Sequence, residues 1–197
     1  MRELFPLVQS PALSAFASLA EEYCHLVDGH TGTQRNAFLQ AMHGLLPRLY
    51  AAALALPPTS ILFLGDDGDP DEEPVEEEHR PTDWTDGGHP DEWSALALSL
   101  ASLIGDRDLY QEIFDPYEPA NKGAVTGSLA NDFADLYKYL RSGVRKWKRG
   151  ESGDALWEWR FYLENYWGGH VLSALRALYE LSSTYDFPWP QSDPGAA

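Results

Sequence analysis

Apolar residues return every three or four positions along most of this chain, the spacing of helices that bury one face. Leu13, Phe16, Ala20, Tyr23 and Val27 form the first stripe. Ser10-Pro11 is a helix start, because Ser can cap and Pro suits the first turn, and Gly29 is placed to end it. Thr33 is the candidate cap of a second helix, with Phe38, Met42, Leu45, Leu49, Ala52 and Leu56 as its stripe. Pro47 lacks an N–H and crowds the preceding turn, which predicts a kink or restart near Gly44–Pro47. Pro57-Pro58 ends that helix, and the pattern then breaks until about residue 90. Spacing returns with Trp93, Leu96, Leu100 and Leu103, introduced by Pro90-Asp91-Glu92 and closed by Gly105. A short helix from Arg107 to Phe114, capped by Asp106, is expected next. Asp115-Pro116-Tyr117-Glu118-Pro119 cannot continue it, and a loop runs to Gly127.

Ser128 starts another helix, with Leu129, Phe133, Leu136, Leu140, Val144 and Trp147 as its stripe. The last helix begins near Ser152 or Asp154 and reaches about Ser183. On a wheel at 100° per residue, Leu156, Trp159, Leu163, Trp167, His170, Ala174, Ala177, Leu178 and Leu181 share a face. Trp157, Phe161, Leu172 and Tyr179 lie away from it. A helix apolar on more than one side is expected at the centre of its fold. Gly168-Gly169 inside it costs about 1 kcal/mol per glycine relative to alanine, which close approach of a neighbouring helix would offset. Ser60 to Leu64 is the single strand candidate. The expectation is therefore an all-α single domain over 1–197, an antiparallel bundle of about six helices. A long acidic loop or insertion, 57–90, separates the second and third helices, and 184–197 is an extended tail.

Charge changes the picture of partners. The chain has 14 basic against 31 acidic residues, a net charge of −17. Phosphate binding needs clustered Lys and Arg, so nucleic acid and anionic membrane surfaces are excluded as expected partners. A basic protein is favoured instead. Asp66 to Glu78 holds nine acids in 13 residues, a solvated loop or an interaction arm. Lys138, Arg141, Arg145, Lys146, Lys148 and Arg149 crowd the end of the Ser128 helix, where cations suit the dipole. The N-terminus does not read as a signal peptide, since Pro6, Ser10, Ser14 and Ser18 interrupt any apolar stretch. No run approaches the length of a membrane span. A cytoplasmic location is expected.

Candidate chemistry is sparse. No glycine-rich phosphate loop, Gly-x-Ser-x-Gly elbow or His-Glu-x-x-His is present. Cys24, the one cysteine, reads as a small core residue. His25 and His30 read as exposed, and no histidine has metal-ligand spacing with a second ligand pair. Glu73-x-x-Glu76 falls in a Pro-containing acidic run, which fails the carboxylate pattern of helical nucleotide pyrophosphohydrolases. His170 reads as a core histidine bonded to a carboxylate or carbonyl, or, more sharply, as a ligand or general base. Asp132 and Asp135 share one side of their helix and read as first-turn acids, or as partners of His170 or Arg160 across the helix pair. Arg160 and Glu164, four apart, are placed to pair. The candidate pocket or polar network is Asp132, Asp135, Glu158, Arg160, Glu164, Trp167 and His170. Convergence of the carboxylates on a divalent ion is the metal version. No catalytic residue, metal or cofactor is assigned.

Three segments together resemble a bacterial family, domain-of-unknown-function family 5063. They are Phe114-Asp115-Pro116-Tyr117; Gly127-Ser128-Leu129-Ala130-Asn131-Asp132-Phe133-Ala134-Asp135-Leu136-Tyr137; and Trp157-Glu158-Trp159-Arg160-Phe161 running on to Trp167-Gly168-Gly169-His170 and Ala174-Leu175-Arg176-Ala177-Leu178. The resemblance covers residues 90 to 182 well and the first helices loosely. It implies a helical, bacterial, cytoplasmic protein and attaches no activity, cofactor or catalytic residue. In the family's pattern a second acid often stands where this chain has Asn131, and a second His where it has Tyr166. If those polar positions form a metal site in relatives, two potential ligands are missing here.

The function expected from these features is a non-enzymatic, acidic helical protein-interaction module, of which an immunity-type inhibitor of a basic partner is one version. The alternative is a small-molecule or divalent-metal-dependent enzyme with a carboxylate/His pocket between the last two helices. A structural subunit, dimerising through aromatics such as Trp157 or Trp189, is the third.

Overall fold

The computed structural model describes residues 10–58, 90–113, 117 and 123–184. The acidic run Asp66–Glu78, the strand candidate Ser60–Leu64, most of the Asp115–Pro119 segment and the tail after Thr184 lie outside the described residues. Six helices are described: α1 (Pro11–Asp28), α2 (Arg35–Leu54), α3 (Pro90–Ile104), α4 (Leu129–Lys148), α5 (Ser152–Tyr162) and α6 (Gly168–Thr184). A π turn, Leu163–Trp167, joins α5 to α6 without a loop, so the last two form one interrupted rod. Two short strands, β1 (Leu109–Glu112) and β2 (Val125–Ser128), stand just before α4. The chain is a helical bundle with a small hairpin attached.

The apolar stripes are the core. Leu13, Phe16, Ala20, Tyr23 and Val27 of α1, Phe38, Met42, Leu45 and Leu49 of α2, and Leu129, Phe133, Leu136 and Leu140 of α4 are buried together. Aromatic edges lock them: Phe38 meets Phe133 with centroids 5.8 Å apart, and Phe16 meets Trp159 at 5.0 Å, both edge to face. The hub is α4 rather than the aromatic C-terminal helix, because α4 packs against α1, α3, α5 and α6. The C-terminal rod is apolar on more than one side for a different reason. On its second aromatic face Trp157 stacks on Phe161, and Tyr166 tilts against Phe161 and against Tyr139 of α4, all of these rings partly exposed.

Several local expectations change. Pro47 sits inside a continuous α2, so the helix does not restart there; Leu45, Leu46 and Leu49 are buried on either side of it. Thr33 does not cap α2; its hydroxyl donates to the Gly29 carbonyl, and Gln34 takes the cap position without a side-chain bond. His30 is buried, its ring bonded to the Val27 carbonyl at 2.7 Å and Ser99 Oγ at 2.6 Å, whereas His25 is exposed. The predicted helix from Arg107 to Phe114 is replaced by a 3-10 turn, Gly105–Arg107, followed by β1. β1 pairs antiparallel with β2 in the register Leu109↔Ser128, Tyr110↔Gly127, Gln111↔Thr126 and Glu112↔Val125. The supposed cap Asp106 is engaged elsewhere, in an ion pair with Arg35 at 2.8 Å.

The glycine pair also has another role. Helices approach closely at Gly143, not at Gly168-Gly169: a Cβ on Gly143 would lie 2.1 Å from Nε1 of the buried Trp159. Gly168 meets its own rod. Its N–H donates to the Leu163 carbonyl in the π turn, and a Cβ there would fall 2.3 Å from that same oxygen. Gly169 has no such neighbour.

Candidate functional site

The π turn decides where the polar residues of the last helix point. Buried positions advance in four-residue steps through Trp159, Leu163, Trp167 and Val171, then continue at Ala174 and Leu178. A regular helix turns every 3.6 residues, so four-residue steps need the extra residue that a π turn absorbs. Val171 thereby takes the core position that a straight wheel assigns to His170. His170 is rotated onto the flank, with its side chain 38% exposed. It is not a core histidine.

On that flank it meets α4. Ser128 Oγ accepts from the Asn131 N–H, and the Asp108 carboxylate accepts from the Ala130 N–H at 2.8 Å and from the Ser128 hydroxyl. Asp108 thus completes the cap across the hairpin. This anchored first turn presents Asp132 and Asp135 to α6. Asp132 Oδ1 lies 2.8 Å from His170 Nδ1, and Asp135 Oδ2 lies 3.7 Å from Nε2, within ionic range. Tyr110 of β1 donates its hydroxyl to the other oxygen of Asp132 at 2.5 Å. The ring reaches over its cross-strand partner: a Cβ on Gly127 would lie 2.4 Å from Tyr110 Cζ. Glycine at that position is what lets the phenol cross to Asp132.

The electrostatics follow from burial. Burial raises the Asp132 carboxyl above its ordinary value, against the opposing bonds from His170 and Tyr110. The bond to Asp132 raises His170 above 6.5, with burial opposing and Asp135 and Glu112 assisting. Burial and the bond to Asp132 raise Tyr110. The arrangement is one buried carboxylate receiving a phenol and an imidazole, with the imidazole half open to solvent. Chemically it can exchange a proton at His170, or present a carboxylate-rich edge to a cation.

The remaining candidates are elsewhere. Glu158 is buried and bonded to the Ser142 hydroxyl at 2.7 Å, with Lys146 Nζ 3.3 Å away. Arg160 approaches Glu164 at 2.7 Å on the flank. Trp167 is core, stacked on Phe16 with centroids 6.2 Å apart. Of the seven, Asp132, Asp135 and His170 form one cluster, and Arg160 and Glu164 a separate pair on the flank. Tyr110, Asp108 and Glu112 were missed because they lie in the segment read as helix; a period-two Tyr-Gln-Glu run is too short to signal a strand. Burial pushes the Cys24 thiol up to about 12, so it stays protonated in the core. Among the described residues, no three His, Cys, Asp or Glu side chains are grouped to hold a metal ion, and no helix is long and apolar enough to cross a membrane.

The fold is similar to that of a solved structure, protein BF1032 from Bacteroides fragilis. The TM-score is 0.66 at 20% identity, over 97% of this chain and 99% of that one. At that identity the likeness shows the fold alone. No match is found among curated proteins. A family model matches residues 8–184, which takes in every described helix, the hairpin and the Tyr110–Asp132–His170 cluster; the chain belongs to the family described as Domain of unknown function (DUF5063).

Proposed function

We propose that this chain is an acidic helical interaction module for a basic protein partner, an immunity-type inhibitor being the most concrete version. The observation that carries it is how the chain's few cations are used. Arg35, Arg48, Lys146, Lys148, Arg149 and Arg160 each lie within 4.0 Å of a carboxylate of this chain. Arg141 lies over the Tyr137 ring and Lys138 over Tyr139. These cations of the described residues are engaged within the chain, while the chain as a whole carries a net charge of −17. Such a charge steers association with basic partners and suppresses acidic ones. The test is affinity capture from the native cell at low ionic strength, followed by a salt step with identification of what is retained. Basic proteins should be retained and then released by about 1 M salt, where the Debye length falls to about 3 Å. A specific partner held equally in high salt sinks the electrostatic reading.

A second reading has its own support: the half-open His170, oriented by a buried carboxylate, has the form of an acid–base group awaiting a substrate. Under that reading His170→Gln removes a turnover while leaving salt-sensitive capture intact. Under the first it has little effect on either.

A further inference from the structure

β1 has a second edge. The Leu129 N–H donates to the Asp108 carbonyl at 2.9 Å, which makes Asp108 and Leu129 a hydrogen-bonded pair one step beyond the ladder. Along an antiparallel ladder such pairs alternate with pairs that exchange no bonds. Tyr110 and Glu112 therefore turn their backbone groups to β2, and Leu109 and Gln111 turn theirs away from it. Among the described residues no hydrogen bond engages the backbone N–H or C=O of Leu109 or Gln111. A cavity of about 520 Å3 lies against this strand, with the C-terminal half of α6 as its far wall. It meets Leu109, Tyr110 and Gln111 in succession. Side chains alternate faces along a strand, so a cavity that meets three in a row runs along the edge. We propose that an extended segment of a partner protein adds here as a third strand. Its backbone pairs with Leu109 and Gln111, and its apolar side chains lie on Ala177 and Leu181. This docking mode does not depend on the charge reading above.

An open edge is a template for pairing, and strand addition draws affinity from main-chain bonds and specificity from pockets for alternate side chains. The dimensions fit. A strand fills a slab about 4.8 Å wide and about 10 Å deep, so 520 Å3 holds about 11 Å of strand, or about three residues. The charge fits as well. The slot holds Arg107 and Arg176 against Asp106 and Glu180, two of each sign. It therefore selects neither cation nor anion, and suits a neutral backbone. Leu109 is 66% exposed, and an added strand covers it on the outer face. The template is rigid, because the Tyr110 ring is held between its bond to Asp132 and the bare face of Gly127. Little ordering is then needed on binding. A second copy of this chain is a poor occupant. Each copy carries a net charge of −17, and in each the outer edge of β1 is walled by its own α6.

The probe is a phage-displayed library of random heptapeptides panned on the full chain, the best binder then being synthesised. Enriched sequences should carry apolar residues at alternate positions. In amide exchange of the free chain, Tyr110 and Glu112 should be slow and Leu109 and Gln111 fast, and the peptide should slow the second pair. N-methylation of the peptide at its paired positions should weaken binding about tenfold or more, the scale of two lost backbone hydrogen bonds. Gln111→Pro removes the outward N–H and no ladder bond, and should weaken binding comparably. Gln111→Ala loses the side-chain bond to Thr126 but keeps that N–H, and should bind like wild type. The methylated peptide carries the test if the proline variant does not fold. Binding should persist at about 1 M salt, where electrostatic capture fails, so the two readings fail separately. Slow exchange at Leu109 and Gln111 in the free monomer overturns the proposal, because the edge is then already covered. So does protection there that grows with protein concentration, which marks a second copy. A binder indifferent to both N-methylation and Gln111→Pro, or no enriched peptide, overturns it equally.

Discussion

At the residue scale the molecule turns on His170. Its bond to Asp132 raises its titration above 6.5. The sign follows from linkage: a group whose folded pKa is raised contributes stability fully present below the unfolded value and lost as pH rises through the folded value. Wild type should therefore exceed His170→Gln in stability at pH 6, and the difference should shrink at pH above the folded pKa. An NMR titration of the His170 ring should give a value above 6.5 that falls in Asp132→Asn. A value at or below 6.5 in wild type, or no response to Asp132→Asn, rejects the pairing. Asp132 and Asp135 at three-residue spacing, and their possible meeting with His170, were legible in the sequence. The exposure of His170 was not, because a wheel of constant period cannot see one extra residue in a turn.

At the scale of elements the π turn is that extra residue. It displaces the register of α6 so that Val171 faces the core and His170 faces Asp132. Gly168 is bound to it: any side chain there meets the Leu163 carbonyl. Gly169, one position on, is open. Urea unfolding should separate them. Gly169→Ala should stabilise by about 0.5–1 kcal/mol, the ordinary helix preference. Gly168→Ala should destabilise by about 1–3 kcal/mol, as forced overpacking does. Equal effects at the two positions would remove the steric account of the π turn. The hairpin is the other element that propensity could not announce. β1 has four residues, too few for a period, and its stability comes from its pairing with β2, from Gln111 donating to Thr126 at 2.9 Å, and from Asp108 capping α4.

On the scale of the whole molecule, charge dominates. Exposed ion pairs such as Arg48–Glu22 and Arg149–Glu151 add little stability each. Mutual repulsion at a net charge of −17 opposes the compact state. Screening should therefore help: the melting temperature should rise between about 0.01 M and 0.3 M sodium chloride, as the Debye length shortens from about 30 Å. A falling melting temperature would mean that the ion pairs outweigh the repulsion. The same salt range that steadies the chain should loosen a basic partner, which sets conditions for the capture experiment.

The sequence by itself determined the long helices and the buried faces of α1 to α4. Heptad-like stripes in α1, α2, α3 and α4 are properties of local spacing, and the core in the structure is built from those residues. It also determined the net charge and, through Ser128 and its acidic first turn, where α4 begins. Tertiary structure decided which helix is the hub, because both α4 and the C-terminal rod carry apolar stripes and it is packing that puts α4 against α1, α3, α5 and α6. It decided that Gly143 is the point of close approach and that Tyr110 reaches Asp132 across Gly127. Above all it decided that His170 leaves the core for the flank. That outcome depends on a bond from Gly168 to Leu163 five residues back, a choice made when the rod packs and not written in its period.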